Sequence, residues 1–274
     1  MKNTAALAAF ITSIGVMHGA AVQPDALTLL REALGGETAL GAVRTVRVRS
    51  TISRKPHKDH VEVAVAFPDR FFRTVRYFSV SESSGGSATH VDIHSDLGVD
   101  PGTWGAHIVP NRKGGAPGLL MSGFSGPTPL PVSSRYELER RPELLPQRLA
   151  DAHARFAEFV LPLFGNTSAA YPVEATSEAN TITFRAPADR SWLLTLDPVT
   201  HLPSRMTWTA PVPPFAPKGA RPSEWQTDFG DFRLVNGLRW PHRIIKSRHG
   251  RVDEDSTIER YEVNLKISDK TFRK

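Results

Sequence analysis

His90, Asp92 and His94 stand at the period of a β-strand, so their side chains project to one face, and imidazole with carboxylate is a metal-ligand set. The plainer reading is the polar side of a strand whose Val91 and Ile93 point inward. It is preferred because same-face neighbours on a strand splay apart and need further ligands from elsewhere. His57, His60, His107 and His242 show no motif spacing that would supply them. No metal and no cofactor are therefore expected. Gly123-Phe124-Ser125-Gly126-Pro127 comes close to a nucleophile elbow, but Pro127 stands where the second glycine is required, and neither a buried strand before nor a helix after is evident. Arg112-Lys113-Gly114-Gly115 lacks the spacing of a phosphate-binding loop. No catalytic residue is assigned, and the chain is read as a non-enzyme.

Large apolar and cationic side chains offer a different chemistry. Trp192, Trp208 and Trp225 fall in predicted strands with Leu194, Leu196 and Met206 nearby. They are either ordinary core or the wall of a cavity, where tryptophan gives broad apolar area and methionine adapts its shape. Between Arg44 and Arg76 nine Lys or Arg face only Asp59, Glu62 and Asp69. Such a basic face can meet anionic headgroups, an acidic partner or solvent. Nucleic acid is not expected, since the aromatics do not interleave with the basic run.

These residues need strands and one long helix to position them. Ala26, Leu27, Leu29, Leu30, Ala33 and Leu34 recur at helical spacing and stop at Gly35-Gly36. A short helical turn around Glu37 to Ala42 feeds a strand with Val46, Val48 and Ile52 on one face and Arg47, Arg49 and Thr51 on the other. Val61, Val63, Val65 and Phe67 repeat the alternation before a Pro68-Asp69 turn and a third strand, Phe71 to Tyr77. His90 to Ile93 reads as a strand, and Asp96 to Pro131, rich in glycine and proline, stays unassigned. Pro146 can open a helix whose Leu145, Leu149, Ala152, Phe156, Val160 and Leu163 form one stripe. Strands resume at Thr181 to Ala186, Trp192 to Leu196 and Leu202 to Thr209. After proline-rich Pro211 to Pro222, residues Glu224 to Phe272 read as one antiparallel meander through turns at Val235-Asn236-Gly237 and Arg248-His249-Gly250.

The first residues set the compartment. Lys2 precedes an apolar stretch from Ala5 to Val16, too short to span a bilayer, and Gly19-Ala20-Ala21 supplies small residues for cleavage. Residues 1–21 are expected to be a removed signal peptide rather than a retained anchor, because Thr12, Ser13 and His18 interrupt the segment. Residues 22–274 form a single domain by this reading. The formal charge of +6 includes Lys2, and Met1 to Ala21 holds no acid, so the mature value is +5 (6 − 1). The chain has no cysteine, which excludes disulfides and a lipid-modified N-terminal cysteine. A soluble periplasmic protein is expected.

The helix ending in Leu34-Gly35-Gly36, the strands Val43 to Arg54 and Val61 to Tyr77, the central helix, the run Phe232 to Ile244 (FRLVNGLRWPHRI), Val263-Asn264 and Asp269 to Phe272 together resemble the LolA/LolB-like superfamily of bacterial lipoprotein-sorting carriers. The resemblance is clearest over residues 25–78 and 181–274. It implies a mainly β (α+β) fold: a curved antiparallel sheet forming an unclosed barrel, with helices packed on its concave face. It also implies non-catalytic carriage of an acyl chain, lipid or acylated protein in an apolar cavity, with transient contact to membrane-bound envelope proteins. Keeping a sixteen-carbon chain in water costs on the order of 12 kcal/mol, so only an apolar enclosure can ferry it. Leu149, Phe156, Val160, Trp192, Met206, Trp208 and Trp225 would line the cavity and its lid, and Arg47, Arg49 and Arg73 would contact a headgroup. Two alternatives stay open: an envelope interaction or sensor domain on the same scaffold, and a metal-dependent hydrolase using His90, Asp92 and His94.

Overall fold

The computed structural model describes residues 25–54, 57–77, 118–125, 128–130, 145–166, 171–187, 189–212 and 219–272. Among these residues twelve antiparallel strands form one sheet in the order β5-β4-β3-β2-β1-β12-β11-β10-β9-β8-β7-β6. They are β1 (Thr45–Arg54), β2 (His57–Ala66), β3 (Arg70–Tyr77), β4 (Gly118–Ser125), β5 (Thr128–Leu130), β6 (Glu174–Glu178), β7 (Thr181–Ala186), β8 (Arg190–Leu196), β9 (Pro203–Ala210), β10 (Ser223–Val235), β11 (Leu238–Arg248) and β12 (Arg251–Val263). Strands β5 and β6 lie at opposite edges and do not pair, so the sheet is unclosed. Among the described residues three α-helices accompany it: α1 (Ala26–Leu34), α2 (Glu37–Gly41) and α3 (Leu145–Phe164).

The sheet curls around α3. Arg73 of β3 reaches Glu254 of β12 at 3.3 Å, although β2 and β1 lie between their strands. Three strand spacings amount to about 14 Å on a flat sheet. Two side chains meet over that span because the face they share is concave. Alternation puts Val46, Val48 and Ile52 of β1 on this inner face, opposite Val65, Val63 and Asp59 of β2. Phe67, Phe156, Phe164 and Trp240 interlock there, with Phe67 and Phe164 ring centroids 5.2 Å apart and Phe164 and Trp240 5.8 Å apart.

Local chemistry sets the helix ends. Asp25 caps α1 by accepting from the Thr28 amide at 2.8 Å. Gly35 ends it at φ 139°, where an added Cβ would lie 2.5 Å from the Gly237 carbonyl oxygen. Arg31 donates to the carbonyl oxygen of Phe164 and pairs with Glu37, placing a cation at the C-terminus of α3, where the helix dipole favours it. Helix α3 thus has its C-terminal end fastened to α1 and α2.

The structure departs from the sequence reading at three places. Strands β4 and β5 occupy the end of the unassigned Asp96 to Pro131 stretch, and β6 lies where no strand was expected. The polar run Glu174–Glu178 is an edge strand with exposed residues at four of its five positions, so it shows little apolar alternation. The last meander ends at Val263, not Phe272. Asn264 adopts φ 58°, and its side-chain oxygen accepts from the Arg44 amide at 2.7 Å, diverting the chain from the sheet. Residues 265–272 instead cross the outer face, where Ile267 and Phe272 bury themselves against Ala64, Ala66 and Phe72.

Candidate functional site

Between α3 and strands β2, β3, β10, β11 and β12 lies a cleft of about 130 Å³. Val63, Phe71, Phe159, Leu163, Phe229 and Ile244 give it apolar walls, and five charged residues join them: Arg73, Arg155, Lys246, Glu158 and Glu254. Lys246 Nζ lies 3.1 Å from Glu158 Oε2, and Arg73 pairs with Glu254. All four of these paired side chains are largely buried, with 14 to 21% exposure. Arg155 is buried as well. Three cations against two carboxylates leave a formal charge of +1 on the lining (3 − 2).

Register explains how these charges meet. Glu254 stands directly opposite Lys246, which stands opposite Thr227. In β11 the inner positions run Trp240, His242, Ile244, Lys246, and in β3 they run Phe71, Arg73, Val75. Lys246, Arg73 and Glu254 therefore occupy apolar-phase positions. A strand spends such positions on charge only where charges pair or serve a ligand. Lys246 also lies over the rings of Trp225 and Trp208, at 4.5 and 5.0 Å from their centroids.

The structure brings the tryptophans together. Phe184, Trp192, Trp208 and Trp225 stand opposite one another across β7 to β10, and Trp208 and Trp225 stack at 6.2 Å. Met206 lies in the adjacent row, opposite Leu194 and Thr227. Yet none of the apolar candidates lines the cleft. Phe156, Val160, Trp192, Trp225 and Met206 are buried in the packed core, while Leu149 and Trp208 are partly buried against it. The expected open cavity is accordingly a narrow cleft in this conformation, because the aromatic side chains and the C-terminal half of α3 fill the hollow.

The arginines do not form one group. Arg73 faces the cleft, whereas Arg47 stands opposite Ala64, itself opposite Phe72, on the outer face. Arg47 and Arg49 there engage Glu62 at 3.3 and 3.9 Å. Ser125 sits between two antiparallel strands, which is the wrong setting for a nucleophile elbow. His90, Asp92 and His94 lie outside the described residues. Among those described, no three His, Asp or Glu side chains gather as metal ligands. A second hollow, of about 550 Å³, opens at the N-terminal end of α1 beside Asp25, Ala179 and His201, where Asp25 and Ala179 are exposed and most of the other lining residues are half-buried.

The sequence reading missed Lys246, Glu158, Glu254 and Arg155. The signal available for Lys246 was its phase, two residues beyond Ile244 in an apolar alternation. Arg155 and Glu158 belong to a helix whose C-terminal half is buried nearly all round, so a single-stripe reading assigns them to solvent.

A solved LolA superfamily protein is similar to this chain. It comes from Nitrosomonas europaea and shares 11% identity, with a TM-score of 0.41, over 92% of this chain and 98% of its own. The chain matches no family profile and no curated protein. At that identity the side chains of one site say nothing about those of the other.

Proposed function

We propose that this protein binds and carries a hydrophobic ligand, the acyl chain of a lipid or of an acylated protein, on the inner face of its sheet beneath α3, without performing chemistry on it. The observation that supports this reading is the amphipathic cleft under α3: apolar walls with a cluster of largely buried charges, on the concave side of a sheet covered by one long helix. At about 130 Å³ the cleft lies below the roughly 300 Å³ at which small-molecule sites begin. The chain is admitted when the N-terminal part of α3 swings out, pivoting on the end that Arg31 fastens. Phe156 and Val160 then leave the inner face, and Trp192, Met206, Trp208 and Trp225 beside them become the wall for the extended acyl chain. A headgroup at the cleft meets Arg73; Arg47 and Arg49, on the outer face, would serve only a second contact there.

The proposed setting is the periplasm. The signal-like residues 1–21 support export, and among the described residues no helix is long and apolar enough to cross a membrane. Membrane-bound envelope proteins would deliver and accept the cargo in brief contacts. Organic extraction of the purified protein, followed by mass spectrometry, tests the proposal: stoichiometric acyl lipid supports it, and none in extracts or after incubation with lipid contradicts it.

The dense packing of the hollow favours a second reading. A filled concave side suits an envelope interaction or sensor domain that never takes an acyl chain, and α3 would then stay protected from solvent whatever lipid is added.

A further inference from the structure

We infer that the preferred ligand is a long-chain fatty carboxylate whose headgroup takes the place of Glu158 at Lys246. The inference rests on the acyl-binding reading and narrows it to one ligand class. Glu158 is an internal carboxylate held by Lys246 at 3.1 Å at the edge of an apolar cleft, so the geometry for that headgroup is already built. An incoming carboxylate replaces the Glu158 carboxylate like for like and keeps Lys246 paired, which a neutral or cationic amphiphile does not. Apolar Phe229 and Ile244 continue from the same site, so a head at Lys246 leaves its chain against the inner face. Displacing Glu158 also removes a tether of α3 to β11, so the headgroup that is recognised is also the group that loosens the cover. Glu158 thereby keeps the site closed to chains that lack a negative head.

Lys246 supplies its own reporter, because it lies over Trp208 and Trp225. Titrations of tryptophan fluorescence with hexadecanoate, hexadecanol and hexadecyl phosphate, at pH 8 and below micellar concentration, separate the outcomes. Hexadecanoate is expected to bind at least ten-fold tighter than either of the others. Lys246→Met is expected to abolish the preference, so that hexadecanoate binds no tighter than hexadecanol, and Lys246→Arg to restore it. Glu158→Gln is expected to tighten hexadecanoate binding several-fold, and circular dichroism of each variant confirms its fold. Equal binding of acid and alcohol by the unmodified protein overturns the headgroup assignment and leaves acyl binding standing. Tighter binding of hexadecyl phosphate overturns the carboxylate. No binding of any of the three overturns both this inference and the acyl-binding reading.

Discussion

Glu158 of α3 and Lys246 of β11 form an ion pair at 3.1 Å that ties the long helix to the strand facing it across the cleft. Removing one partner leaves a largely buried charge without its counterpart. Glu158→Gln is therefore expected to cost about 2 kcal/mol of stability, in the range of a charge-assisted hydrogen bond. Urea unfolding measures the loss, and hydrogen exchange should show it concentrated in α3, with the strands of the sheet little changed.

Phe156 holds α3 down by packing. It is fully buried between Phe67 and Phe71, at ring distances of 6.2 and 5.9 Å. Phe156→Ala should destabilise the fold by about 3 to 5 kcal/mol, through lost transfer energy and the cavity left behind. Because that loss is a large part of a typical domain's stability, the midpoint of chemical unfolding should fall sharply. Phe156→Leu should retain much of it.

Two glycines six residues apart, Gly35 and Gly41, behave oppositely. At Gly35, φ 139° and the nearby Gly237 carbonyl oxygen forbid a Cβ, so Gly35→Ala should cost more than about 2 kcal/mol. At Gly41, at the end of α2, an added Cβ meets nothing within 4 Å and φ is ordinary. Gly41→Ala should be neutral or stabilising by up to about 1 kcal/mol. Thermal unfolding of the two variants side by side checks the contrast.

Burial pushes the imidazole of His153 below its ordinary range, while the ring stacks on Tyr171 at 4.9 Å. The unfolded chain then binds the proton more readily than the folded one. The contribution of neutral His153 is fully present above about pH 6.5 and is lost as pH falls from there through the lower, folded-state value. Unfolding followed between pH 7.5 and 5 should show stability declining, and His153→Phe should flatten that decline. An unchanged pH profile in the variant would assign the effect to other groups.

Much of the architecture was legible because each strand buries one face. Val46, Val48, Ile52, Val61, Val63 and Val65 lie in the core as their alternation implies, and α1 runs over Ala26–Leu34 between its aspartate cap and Gly35. Edge strands were harder, since Glu174–Glu178 buries no face that would leave an apolar pattern. The site was least legible. Its charges come from β3, β11, β12 and α3, and only the sheet's curvature brings Arg73 to Glu254. Period-two reading separates Arg73 from Arg47 and Arg49 only once register is known, because every strand has two faces and sequence alone does not join them across neighbours.

The central claim is that α3 yields the inner face to an acyl chain. Hydrogen–deuterium exchange of the intact protein, with and without saturating hexadecanoate, tests it most directly. The account predicts faster exchange over the N-terminal part of α3, with the end that Arg31 holds little changed and protection of β10 and β11 kept or increased. Unchanged protection of the helix at ligand saturation, or no saturable binding at all, would contradict it.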